Sequence, residues 1–183
     1  KLFSIDLMYG LPGQTLEGWD IELNNALDLC ENHISVYQLT IEPGTVFYRE
    51  KVPEVNEGLS NQLYRRTQEI LNLAGLPAYE ISNHARPGYE CAHNLLYWRG
   101  EDYLGLGPGA HGRLTKKSED GFFETEAIQE FRNPDKWLDS IRTDGEGTQK
   151  RYTLAFQERL EELILFGLRV SEGMDVERFY RLT

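Results

Sequence analysis

Large apolar residues dominate Leu2 to Tyr9 and stop at Gly10-Leu11-Pro12-Gly13. A near-continuous apolar run closed by a Gly/Pro turn predicts a strand covered on both faces, as in a parallel sheet. Leu16, Trp19, Leu23, Ala26, Leu27 and Cys30 then recur at three- and four-residue steps. That spacing predicts an amphipathic helix with one core stripe. A second apolar run, Ile34 to Ile41, completes a strand–helix–strand unit. Leu59, Leu63, Thr67, Ile70, Leu71 and Ala74 predict the next helix, stopped by Gly75 and Pro77. Ala78 to Ser82 reads as a third short strand. The alternation predicts an α/β fold whose strand ends and following loops carry the chemistry.

The pattern changes further on. Asn83 to Trp98 shows no clean period and reads as a long loop, and Tyr103 to Gly112 is Gly-rich. Lys116 to Gly121 is a polar turn across which Phe122 to Ile128 can pair with Arg113-Leu114 as a hairpin. Asn133-Pro134 reads as an N-cap followed by proline at the first helical position, starting a helix to about Arg142. Gly145-Glu146-Gly147 reads as a linker. Leu160, Leu163, Ile164 and Leu168 mark another helix, and Asp175 to Leu182 a last one, with Phe179 and Leu182 extending the stripe. These helices are expected to begin a separate helical domain. The resulting division is 1–112, 113–147 and 148–183.

The 183 residues suit one domain, or one domain and part of another. Hydrophobic residues at 40% and aromatics at 11% exclude wholesale disorder. No apolar run approaches the ~20 residues a membrane helix needs. With 19 basic against 30 acidic residues the net charge is −11, which argues against nucleic acid and anionic membranes as partners. Two cysteines, Cys30 and Cys91, fit a reducing, cytoplasmic setting and cannot supply a four-cysteine zinc or iron–sulfur site.

Several residue groups carry chemistry on paper. Gly107-Pro108-Gly109-Ala110-His111-Gly112 matches G-x-G-x-x-G, but the polar stretch after it is not helical, as a dinucleotide site requires. A tight turn whose N–H groups meet an anion remains open. Cys30, His33, His84, Cys91 and His93 include short ligand spacings, yet Cys30 falls on a core stripe. His93-Asn94-Leu95-Leu96-Tyr97-Trp98 places an imidazole and two flat rings within six residues. Imidazole is a common axial ligand of haem iron and flat rings can stack on a macrocycle; a packed aromatic cluster is the alternative. Asp6, on an apolar strand, needs either a structural partner or a ligand if it is buried. Glu80 poses the same choice and leans structural. No nucleophile elbow, Walker loop or H-E-x-x-H is present.

Four ordered runs carry a resemblance. They are Ser4-Ile5-Asp6-Leu7-Met8-Tyr9-Gly10-Leu11-Pro12-Gly13-Gln14-Thr15, then His33 to Thr45, then Tyr79-Glu80-Ile81-Ser82-Asn83 with the H-N-x-x-Y-W run, and Tyr103 to His111. Together they resemble the oxygen-independent coproporphyrinogen III oxidase-like proteins of the radical S-adenosylmethionine (SAM) superfamily. Glu158 to Gly173 resembles the C-terminal helical domain of that family. The H-N-x-x-Y-W run is similar to that of its haem-chaperone (HemW) branch.

The resemblance implies the C-terminal part of a partial (β/α)6 radical SAM barrel, followed by the start of a small helical domain. It implies haem, SAM and a [4Fe–4S] cluster as cofactors. The family's C-x-x-x-C-x-x-C cluster motif is absent here, so the cluster ligands and the first half of the barrel are expected in a preceding segment. It implies His93 as candidate ligand to haem iron, with Asn94, Tyr97 and Trp98 around it, and Asp6, Thr40 and His111 as SAM contacts. The implied function is a haem chaperone that binds haem and transfers it to client haem proteins. The alternative is oxidative decarboxylation of coproporphyrinogen III to protoporphyrinogen IX, with this portion inactive alone.

Overall fold

The computed structural model describes residues 3–182. Contacts divide the chain into two compact units, 1–91 and 92–183, each described here by itself. The division thus falls after Cys91, whereas the sequence pattern suggested breaks at 112 and 147.

The first unit opens with strand β1 (Ile5–Tyr9), helix α1 (Leu16–Leu29) and strand β2 (His33–Gln38). β1 and β2 pair in parallel, with Ile5 opposite Ile34 and Tyr9 opposite Gln38. α1 starts where the Thr15 hydroxyl accepts the Gly18 N–H at 3.1 Å, which satisfies one orphan donor of the first turn. A short helix α2 (Val46–Arg49), which the sequence pattern did not predict, precedes α3 (Glu57–Leu73). Asn56 caps α3 by accepting the Leu59 N–H at 2.9 Å. Gly75, at φ +78°, lets the chain leave α3 in a left-handed turn.

The third strand is displaced from its expected place. β3 is Asn83–Ala85, and it runs antiparallel to β2. Of the expected strand 78–82, Ala78 makes only an isolated bridge, to His84. The loop expected from residue 83 onward is therefore a strand at its start.

α1 and α3 pack against one face of this sheet. Trp19, Leu23 and Ala26 meet Leu63, Ile70 and Leu71 over Tyr9, Ile34 and Val36, with Cys30 and Leu76 closing the core. Trp19 is fully buried, and its indole N–H donates to the Thr67 hydroxyl at 2.9 Å, which donates to the Leu63 carbonyl at 2.8 Å. A polar pair inside the core is thereby satisfied at both ends. The opposite face carries Asp6 and Met8 from β1, His33, Ser35 and Tyr37 from β2, and Asn83 from β3, by the alternation of side chains along a strand. Sequence reasoning expected both faces to be covered and Asp6 to be buried. Asp6 and Met8 are instead exposed, although His33, Ser35 and Asn83 on the same face are buried.

In the second unit, α4 (Ala92–Trp98) takes the last part of the expected loop, of which 86–91 stay irregular. β4 (His111–Lys117) and β5 (Phe123–Glu130) form the expected hairpin. α5 (Pro134–Asp144) starts at the Asn133 cap, whose side chain accepts the Lys136 N–H at 3.0 Å. The expected linker 145–147 leads directly into a third antiparallel strand, β6 (Thr148–Thr153), on β5. Gly147 is packed rather than free: a Cβ there would overlap the Trp137 indole. α6 (Phe156–Gly167) and α7 (Val176–Leu182) follow.

The C-terminal helices were expected to form a domain of their own. α6 is instead joined to the sheet by charge. The Glu162 carboxylate accepts from Arg113 of β4 at 2.8 Å and from Arg159 at 2.9 Å, all three side chains being mostly buried. Arg159 donates further to the Gly100 carbonyl at 2.9 Å, as does Arg178 at 3.1 Å. Burial pulls the Arg159 guanidinium below its ordinary pKa, while Glu162 acts against that.

Two stability outcomes follow from these cores. Trp19→Ala should destabilise the first unit by about 3–5 kcal/mol, read by denaturant unfolding of the intact protein. Glu162→Ala leaves two guanidiniums without their shared carboxylate, so it should cost the second unit about 3–5 kcal/mol. A loss under about 1 kcal/mol would show that water takes the carboxylate's place.

Candidate functional site

The H-N-x-x-Y-W run forms helix α4 and not a loop. At seven residues, α4 spans about two turns, too few for a hydrophobic period to register. Its end is well defined: Arg99 N–H donates to the Leu95 carbonyl at 2.8 Å and Glu101 N–H to the Leu96 carbonyl at 3.0 Å. Gly100 follows at φ +63°, and a Cβ there would lie 2.5 Å from Leu163.

Helical geometry sorts the motif into two faces. His93 and Tyr97, four residues apart, lie together, their rings edge-to-face with centroids 4.7 Å apart and planes at 86°. Tyr97 meets Tyr103 in the same manner, at 4.3 Å and 67°. His93 is exposed, and no hydrogen bond to its ring is found among the described residues. Trp98 lies about 140° round the helix from His93. Its ring packs edge-to-face on Phe166 at 5.5 Å, and the Arg169 guanidinium lies 4.4 Å from its centroid. The Trp98 indole N–H is buried without a partner. Asn94 is partly buried, on the Trp98 side.

A cavity of about 320 Å³ lies on that side, with Trp98, Leu163, Met174 and Phe179 as apolar wall and the Arg99–Glu172 ion pair at 2.6 Å among its charged lining. The structure therefore places His93 and Tyr97 together and gives Trp98 different neighbours. Tyr103, which sequence reasoning noted only as the start of a Gly-rich segment, joins the His93 side. Its place two residues before a Gly-x-Gly run was the available signal.

The expected SAM contacts are spread over both units. Asp6 is exposed on the β1 end of the polar face of the first sheet, and Thr40 is exposed just beyond the end of β2. His111 is exposed at the start of β4, in the second unit. The glycine-rich turn before it leads into a strand, as the sequence pattern required against a dinucleotide site. Its N–H groups are less available to an anion than expected: Gly109 donates to Phe131 at 2.8 Å and Ala110 to Gly107 at 3.2 Å.

No three His, Cys, Asp or Glu side chains converge for a metal ion among the described residues. Cys30 is buried, with its thiol donating to the His33 carbonyl at 2.8 Å. This donor set does not hold an iron–sulfur cluster.

The polar side of the first sheet is ordered by hydrogen bonds. His33 bridges the Ser4 hydroxyl at 2.7 Å and the Tyr79 hydroxyl at 2.9 Å. Glu80 is buried and accepts from the Ser82 N–H at 2.8 Å and the Asn83 amide at 2.5 Å, in keeping with a structural role. On the helix side, His84 pairs with Gln68 at 3.1 Å and is 1% exposed. Burial lowers the His84 pKa to about 4, against the pull of Glu80.

No protein-family model matches the chain. The chain is 38% identical over 175 residues to "Radical S-adenosyl methionine domain-containing protein 1, mitochondrial" of Danio rerio, matching 93% of this chain and 39% of that protein. It is 36% identical over 183 residues to "Heme chaperone HemW" of Bacillus subtilis, with 96% and 45% covered. It is 49% identical over 117 residues to the same-named protein of Haemophilus influenzae, with 63% and 30% covered. Among solved structures, coproporphyrinogen III oxidase (HemN) from Escherichia coli, a radical SAM enzyme, matches with a TM-score of 0.73 at 18% identity, covering 96% of this chain and 42% of that one. The chain thus spans less than half the length of these curated relatives. It is a homologue of proteins named HemW heme chaperone and radical SAM domain-containing protein 1, matching their C-terminal part, with the α/β fold of the corresponding part of HemN.

The buried His84 generates a pH dependence. Its folded pKa of about 4 lies below the ordinary 6.5, so the unfolded chain takes up the proton first as pH falls. Stability from this group is complete above pH 6.5 and is lost progressively down to about pH 4. The loss should be on the order of 3 kcal/mol. Burial lowers the His33 pKa as well, adding in the same direction. Unfolding curves at several pH values should show a shallower decline for His84→Met than for the parent.

Proposed function

We propose that this chain is the haem-binding portion of a radical SAM haem chaperone, and that α4 presents His93 to the haem iron. One observation carries the reading: an exposed imidazole with no hydrogen bond to its ring, held edge-to-face by Tyr97 on the same side of a short helix. A neutral imidazole nitrogen is a ready axial ligand, and its ring orientation is set by its neighbours. Tyr97 offers a flat contact beside the porphyrin. Trp98 and Asn94 contribute from the other side of the helix, by anchoring α4. Haem is cargo in this reading, passed on to client haem proteins; homologues named heme chaperone support it.

SAM and a [4Fe–4S] cluster belong to the longer protein. The cluster's ligands lie outside this chain. Asp6 fits a SAM contact, being an exposed carboxylate on the polar side of β1 and able to accept from a hydroxyl or amine; Thr40 and His111 offer exposed atoms at strand ends. When bound, these groups supply radical chemistry, and this chain's residues supply binding and orientation.

Oxidative decarboxylation of coproporphyrinogen III is the second reading. The oxidase neighbour, at 18% identity, supports the fold alone. A porphyrinogen decarboxylase must also meet several propionates, for which a net charge of −11 is poorly suited. The reducing setting expected from cysteine usage is compatible with more than one compartment, since some relatives carry "mitochondrial" in their names. Among the described residues no helix is long and apolar enough to cross a membrane.

The test is a haemin titration of the intact protein followed by its Soret band. His93→Ala should lose the imidazole-ligated spectrum and weaken binding at least roughly tenfold, since even the partners of a metal ligand are worth 10- to 100-fold. Unchanged spectrum and affinity would remove His93 as the ligand.

A further inference from the structure

The aromatic contact at His93 does not end at Tyr97. Tyr103 lies beyond it, and the three rings form a ladder, His93 to Tyr97 to Tyr103, each step edge-to-face. The far end of the ladder is fixed to the backbone of the sheet. Tyr103 donates its N–H to the Arg113 carbonyl at 2.8 Å, and its carbonyl accepts the Arg113 N–H at 2.9 Å. Asp102, its neighbour, accepts the Thr115 N–H at 2.8 Å. Gly105 and Gly112 allow this close pairing: a Cβ at Gly105 would overlap the His111 backbone, and one at Gly112 would come within 3.2 Å of the Tyr103 carbonyl. Arg113 itself is held by the buried Glu162.

We propose that Tyr103 is a positioning residue for haem ligation, setting the orientation of His93 through Tyr97. The inference rests on the reading of His93 as the ligand. A solvent-exposed imidazole on a two-turn helix has free rotamers unless something restrains it, and each rotamer lost before binding is entropy not lost on binding. Tyr97 alone is a weak restraint, because it sits on the same short helix and shares its motions. Tyr103 ties that ring to β4, a separate element. Tyr103 is not itself a second ligand: a tyrosine ligates iron as phenolate, and burial pushes the Tyr103 phenol above its ordinary pKa. The ring matters here, and the hydroxyl does not.

The test compares His93→Ala, Tyr103→Phe and Tyr103→Leu in the intact protein titrated with haemin. Affinity is read from the Soret band and axial ligation from the low-spin signal in electron paramagnetic resonance. Edge-to-face aromatic pairs predict that Tyr103→Leu weakens haem binding about two- to tenfold and broadens or splits the low-spin signal. Tyr103→Phe should match the parent in both. If His93→Ala leaves the signal intact, the ligand reading fails before Tyr103 is considered. If His93→Ala abolishes it while Tyr103→Leu matches the parent, the positioning role is overturned. If Tyr103→Phe is as impaired as Tyr103→Leu, the hydroxyl is responsible and the proposal is overturned too. Should Tyr103→Leu fold poorly, Tyr103→Met retains comparable bulk without a ring, and the same comparison with Tyr103→Phe decides.

Discussion

The carbonyl of Gly100 is the point on which the second unit turns. It accepts from both Arg159 and Arg178 immediately after α4 ends. Arg159 is 5% exposed, and a buried guanidinium is costly unless paired and hydrogen-bonded. Glu162 supplies the pairing and shares its other oxygen with Arg113 of β4. One carboxylate and one carbonyl thus join α4, α6, α7 and the sheet. Geometry makes the arrangement demanding. Gly100 must take φ +63° and leave room for Leu163, which only glycine does without strain. A two-turn helix has little stability of its own, so its position is set by these contacts rather than by propensity. His93 and Tyr97 are carried on that helix, and their exposure follows from a salt-bridge network that neither touches.

The first unit solves a different problem. Helices α1 and α3 cover one side of its sheet, and the burial of Trp19, Leu23, Leu63 and Leu71 there supplies the apolar core. The other side is polar and ordered, with His33 held between two hydroxyls. Alternation assigns β1 residues to opposite faces: Ile5, Leu7 and Tyr9 to the core, Asp6 and Met8 to the polar side, where they are exposed while His33, Ser35 and Asn83 are buried. A carboxylate in an apolar strand then needs no buried partner. Its placement suits a residue meant to meet something that is not part of the core.

Most of the regular structure was legible where a period had room to repeat. α1 and α3 show three- and four-residue steps over several turns, and the Asn133 cap marks the start of α5. The hairpin was legible because a polar turn separates its strands. The misses share a physical cause. β3 is three residues long and α4 seven, too short for any period. β6 reads Thr-Gln-Lys-Arg-Tyr-Thr, with almost no apolar residue; it is a strand because β5 offers an unpaired edge. At β1 only the burial expected of Asp6 failed: the second face is buried at His33, Ser35 and Asn83 but exposed along β1, and an apolar run does not tell where along a sheet the cover stops.

The candidate site was legible as a set of residues and not as a surface. A linear run of six suggests that imidazole, phenol and indole all face one flat ligand. Helical winding forbids it: a four-residue step brings His93 and Tyr97 together, and a five-residue step sends Trp98 away. Trp98 meets Phe166 and Arg169, partners from the second half of the unit that no local pattern announces. Winding therefore splits the motif, its first and fifth residues packing on each other on one side of α4 and its last fastening the helix on the other. Tyr103 extends the His93 side from beyond the motif, with its backbone paired to Arg113 of β4 rather than wound into α4.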